Sequence, residues 1–129
     1  MIKFVVLTIL SLFIIHCQGS VKDEIVQKLR KACMAETGID LDTILKQRDS
    51  PELKCYDKCI LVNARLLNPD TGKFDMKPFI DSFPAEVTES WVKIFTDCKV
   101  TDFTSSDYCE EAFKYQMDCF SKQPGFYVV

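Results

Sequence analysis

The side chains with the most chemistry to offer are seven cysteines, while histidine occurs only once. That histidine, His16, lies in a stretch that reads as a leader. Lys3 is followed by Phe4 to Ile15 without a charge and then by His16-Cys17-Gln18-Gly19. This is a basic start, an apolar run of secretory-signal length and small residues before a cut. The run is too short to cross a bilayer, which takes about 20 apolar residues, so no stable membrane insertion is expected. Cleavage after Gly19 is expected, making 1–19 a signal peptide and 20–129 the secreted mature domain. That domain has no histidine.

The missing imidazole excludes whole reaction classes. There can be no Ser-His-Asp triad, no Cys-His pair and no His-based catalytic zinc. Two carboxylates could still run a hydrolase, and Asp70-Thr71-Gly72 looks like an aspartic-protease triplet. The triplet occurs once, follows Asn68-Pro69 and sits between two helical patterns, so it reads as a turn. Counted as a calcium loop from Asn68, the stretch puts Gly72 fifth and Phe79 twelfth. An EF-hand needs glycine sixth and glutamate twelfth. No catalytic residue, metal site or cofactor is expected, and the chain reads as a protein other than an enzyme. A net charge of −3 gives no electrostatic reason to expect nucleic acid or an anionic membrane as partner.

Six cysteines remain once the leader is set aside: Cys33, Cys55, Cys59, Cys98, Cys109 and Cys119. In an exported chain an even number of thiols reads as three disulfides, with the pairing open. Cys55 and Cys59, one helical turn apart, share a face but suit bonds to two different partners better than a bond to each other.

Helical periodicity supplies the elements that must carry them. Ile25, Leu29, Ala32 and Cys33 mark a helix from Val21 to Glu36, stopped at Gly38. Asp40 can cap a short helix bearing Leu41, Ile44 and Leu45. Ser50-Pro51 starts the next, whose stripe is read as Leu53, Tyr56, Ile60 and Leu67, ended by the turn residues Asn68 to Gly72. A short helix follows with Met76, Phe79, Ile80 and Phe83. Pro84 then opens one with Val87, Trp91, Ile94, Phe95 and Cys98 on a single stripe. Asp107 with Glu110 can cap a last helix bearing Cys109, Ala112, Phe113, Met117 and Phe120. Six helices and no alternating pattern predict an all-α fold. Gln123-Pro124-Gly125 separates the last helix from an apolar tail, Phe126 to Val129, for which a buried role is expected.

Six cysteines with three residues between the second and third, on an all-α secreted chain, resemble the insect odorant-binding proteins of the pheromone and general odorant-binding type. Leu53-Lys54-Cys55-Tyr56-Asp57-Lys58-Cys59, Gly72-Lys73-Phe74-Asp75 and Asp107-Tyr108-Cys109-Glu110-Glu111-Ala112-Phe113 carry the likeness, which covers nearly the whole mature chain. The resemblance implies the pairing Cys33–Cys59, Cys55–Cys109 and Cys98–Cys119. One departure stands out: the family commonly has eight residues between its last two cysteines, and here there are nine. One extra residue turns Cys119 by about 100° on an α-helix, so the helix must end early or bulge.

The resemblance further implies a secreted carrier for small hydrophobic, odorant-like or lipid-like ligands, held in an apolar cavity among the helices. Each disulfide is worth about 3 to 4 kcal/mol on the chain-entropy model, so the centre need not be filled for stability. The expected lining is Met76, Phe79, Ile80, Phe83, Trp91, Ile94, Phe95, Phe113 and Met117, with Phe126 in the tail as wall or lid. Without histidine, any acid-triggered release must use carboxylates or the Val129 terminus, with titration expected below about pH 5.5. The alternative is a secreted helical protein that acts through a protein partner, with a packed core and an exposed apolar patch. A receptor or a second copy as partner is left open.

Overall fold

The computed structural model of the protein describes residues 21–120. They form six helices: α1 (Val21–Thr37), α2 (Leu41–Lys46), α3 (Lys54–Asn63), α4 (Met76–Ser82), α5 (Ala85–Asp97) and α6 (Tyr108–Tyr115). A 3-10 turn, Pro51–Leu53, leads into α3, and a π-helical turn, Gln116–Phe120, continues α6. One isolated bridge joins Leu67 to Phe74, and no strand is present among the described residues. The all-α expectation therefore holds.

Short polar side chains start these helices by taking up amide groups that no helical turn can satisfy. The Thr43 amide donates to Asp40 Oδ1 at 2.8 Å, and the Lys77 amide donates to Asp75 Oδ1 at 3.0 Å. On α6 the Glu110 amide donates to Asp107 Oδ1 at 3.1 Å. The Glu110 side chain turns outward to pair with Lys54, and Glu111 Oε1 accepts from the Thr104 and Ser105 amides instead.

Two sequence expectations are corrected here. The helix from Ser50 stops at Asn63 rather than running on to Leu67, because Arg65 adopts a left-handed backbone with φ 63°. The Leu66 and Leu67 amides then both turn back to the Leu61 carbonyl, at 3.0 and 3.2 Å, as in a helix C-cap. Phe83 lies one residue beyond α4, where its amide still donates to the Phe79 carbonyl at 3.1 Å.

The Asn68–Gly72 stretch is a turn. Asn68 Oδ1 accepts from the Asp70 and Thr71 amides at 2.9 and 3.2 Å. Gly72, at φ 76°, accepts from the Phe103 amide at 2.6 Å. A Cβ there would collide with the Phe103 carbonyl and come within 2.6 Å of the Tyr108 hydroxyl, so only glycine fits.

Three disulfides tie these elements. Cys33 on α1 bonds Cys59 on α3, Cys55 on α3 bonds Cys109 on α6, and Cys98 at the end of α5 bonds Cys119 in the π turn. The extra residue before Cys119 is taken up by widening, since the last turn of α6 is π-helical. Cys119 thus faces Cys98 with the Cα atoms 5.6 Å apart, a spacing suited to a disulfide.

Candidate functional site

The most amphipathic stripe in the sequence builds one wall of the interior. Val87, Trp91, Ile94 and Phe95 of α5 are all buried. The Trp91 ring stacks on Phe79 of α4 at 5.5 Å and meets the edges of Phe95 and Phe120 at 6.2 Å each. Phe95 in turn contacts Phe120 at 5.3 Å and Phe74 at 5.2 Å. Edge-on and offset pairs of this kind add about 0.5 to 1.5 kcal/mol each beyond the area they bury.

Between this aromatic group and helices α3 and α6 lies a cavity of about 30 Å³. Its apolar wall includes Ile60, Leu61, Trp91, Phe95, Ala112 and Phe120, and its polar wall is Arg48, Asp57, Tyr115 and Gln116. That volume holds about one water molecule, well below the several hundred Å³ of a typical ligand pocket. A much larger hollow of about 780 Å³ lies on the outside, where Thr37, Asp40, Thr43 and Lys58 give it a polar lining.

Of the expected lining residues, the structure brings Trp91 and Phe95 onto the cavity. Phe79, fully buried, backs Trp91 from behind, and Phe83 packs against Phe79 at 5.4 Å. Ile94 is buried elsewhere on α5, and Met76 packs partly buried against the core. Phe113 is half-buried beneath the Lys54 ammonium, 5.9 Å from the ring centre, and Met117 is also half-buried. Ile80 is turned to solvent at 46% exposure, because α4 spends its inward face on Phe79. Phe126 lies outside the described residues, as do residues 1–19 and the tail to Val129.

The unexpected member is Asp57. It is 5% exposed, and its Oδ2 has no hydrogen-bond partner among the described residues. Burial pushes its carboxyl up to about 7, although the Arg48 guanidinium pulls the other way. Its neighbour Tyr56, fully buried, is pushed up to about 12 by burial, with Arg30 and Arg48 opposing. Desolvation thus raises one carboxyl of the cavity wall above the usual carboxylate range without any histidine. The sequence did carry a signal. Leu53, Asp57, Ile60, Leu61 and Ala64 recur at helical spacing, so Asp57 stands inside an apolar stripe.

One cluster has the residue types of a metal site, Cys33, Glu36 and Cys59. Its two sulfur atoms are bonded to each other, so neither is a thiolate that could bind an ion.

The fold and disulfide frame define a class of all-α domains tied by three disulfides. The PBP/GOBP family model matches residues 19–123, and the chain belongs to that family. No curated protein matches the sequence. Among solved structures, the chain is similar to Apis mellifera odorant binding protein 5, with TM-score 0.60 and 21% identity over 81% of this chain and 91% of that one. It is also similar to a Locusta migratoria odorant binding protein, with TM-score 0.60 and 24% identity over 81% and 84%. Odorant Binding Protein 7 from Anopheles gambiae, solved with four disulfide bridges and an azo compound bound, aligns with TM-score 0.59 and 19% identity over 81% and 87%.

Proposed function

We propose that the protein is a secreted carrier that binds small hydrophobic molecules in the central cavity and acts without catalysis. Family membership makes a small-ligand carrier the leading reading, and the aromatic wall at Trp91, Phe95 and Phe120 carries it to this site. Cleavage after Gly19 delivers the mature chain to an extracellular fluid. No described helix is long and apolar enough to cross a membrane.

A cavity of about 30 Å³ must enlarge to take a ligand of even ten heavy atoms. The side chains around it can supply that room by changing rotamer, and the Phe126–Val129 tail is proposed as a further wall. Because Trp91 is the only tryptophan and lines the cavity, its fluorescence reports occupancy directly. The test is displacement of an environment-sensitive apolar dye from oxidised, delipidated mature protein, followed together with Trp91 emission. Saturable micromolar binding with a matching Trp91 change supports the carrier.

The small volume, together with Leu41 and Leu45 exposed at 42% and 50% on α2, favours as a second reading a secreted protein that acts through a protein partner. In that case the dye does not bind a correctly bridged sample, and Trp91 emission stays unchanged.

A further inference from the structure

A carboxyl group inside an aromatic-walled cavity is costly unless something donates to it or shares its proton. Asp57 is nine-tenths buried on α3, it lines the cavity, and its Oδ2 lacks a hydrogen-bond partner among the described residues. The cavity beside it has room for about one water-sized polar group. We infer that Asp57 is the polar contact of the ligand site and selects apolar molecules that carry a hydroxyl group, alcohols or phenols, over hydrocarbons and ethers of the same length. The inference rests on the carrier reading.

The chemistry singles out the hydroxyl. As a carboxylate Asp57 only accepts, and as a carboxylic acid it both donates and accepts. A hydroxyl does both, so it satisfies Asp57 in either state. An ether oxygen can only accept and leaves the carboxylate unpaired. An alkylammonium could donate, but it would bring a second cation into a cavity already lined by the Arg48 guanidinium, at a further desolvation cost. The hydroxyl then takes the place a bridging water would occupy, while its apolar chain lies against Trp91, Phe95 and Phe120.

The test is a matched series at pH 7.5: an n-alkanol, its methyl ether, the parent alkane and the alkylamine, each competed against the same apolar dye. The expected result is an alkanol bound about tenfold more tightly than its ether, since an analogue that leaves a buried acceptor unpaired loses at least that much. Asp57→Leu should bring the two affinities together by weakening the alkanol, whereas Asp57→Asn, whose amide can donate to an ether oxygen, should narrow the ratio by tightening the ether. Equal affinities for alkanol and ether in the unmodified protein overturn the inference and leave the carrier standing, as does a ratio unchanged in Asp57→Leu. If neither the dye nor any member of the series binds, the carrier reading fails and takes this inference with it.

Discussion

Replacing Asp57 by Asn removes the ionisable group while keeping its shape, so it isolates the energetic effect of a buried carboxyl. In an unfolded chain this group titrates near the model value of 3.8, and in the folded protein burial raises it to about 7. A raised acid favours the protonated form in the native state. Its contribution to stability is therefore complete below about pH 4 and is lost as pH climbs through about 7. Roughly three pH units at 1.36 kcal/mol each give about 4 kcal/mol lost across that window, a large share of the stability of a small domain. The assay is urea unfolding of the parent and Asp57→Asn proteins, disulfides intact, at several values between pH 4 and pH 8. All other titrating groups are common to both, so the difference between the two curves reports Asp57 alone. The variant should gain on the parent steadily as pH rises, by a total of about 4 kcal/mol. Parallel curves would refute the reasoning and place the carboxyl in contact with water.

Deleting Phe126 to Val129 should weaken dye binding several-fold or remove its pH dependence, and an unchanged affinity and profile would show that the tail forms no part of the site. Gly72→Ala should lower stability by at least about 2 kcal/mol in denaturant unfolding, because a left-handed backbone and the Phe103 carbonyl both reject a Cβ. Removal of the exposed residue Asp118 should convert the π turn to an ordinary α turn with the bridge to Cys98 still formed. Thiol titration should find no free sulfhydryl, with stability within about 1 kcal/mol of the parent. A reactive Cys119 would show that the widened turn is needed to bring it to Cys98.

Much of this architecture was legible because it depends on local period and capping. The α5 stripe, the Asp40 and Asp107 caps and the Asn68–Gly72 turn were all visible as residue types at fixed offsets. What escaped depends on backbone state or on contacts distant in sequence. Arg65 has a left-handed conformation that glycine would advertise and arginine hides, so periodicity alone carries α3 through to Leu67. The sequence limited Cys119 to an early end or a bulge, and the choice between them depended on where Cys98 stands. At the site, Trp91 and Phe95 were found because large aromatics on a clean stripe face inward. Ile80 has the same chemistry, yet its helix offers only one buried face and Phe79 holds it. Asp57 is hard to find in the sequence because a charge between two cysteines reads as a solvated face. Only its register with Leu53, Ile60 and Leu61 told otherwise. Phe74 and Arg48 enter from connecting segments, where periodicity gives no guidance.

The three disulfides can also be followed as links in a chain. Cys33–Cys59 joins α1 to α3, Cys55–Cys109 joins α3 to α6, and Cys98–Cys119 joins the turn after α6 back to α5. Four helices thus form one covalently continuous frame, α1–α3–α6–α5, in which no neighbour can separate without breaking a bond. The two shortest helices but for their caps and packing, α2 and α4, carry no link at all. Heat, acid or an arriving molecule must therefore spend itself first on those two panels, and amide exchange should be faster in α2 and α4 than in the frame. Phe79, on the unlinked α4, lies directly behind Trp91. The wall of the cavity thus stands on the linked frame, through Trp91 and Phe95 on α5 and Phe120 beside Cys119, but is backed by an unlinked helix, while Asp57, between Cys55 and Cys59, sits between two of the links.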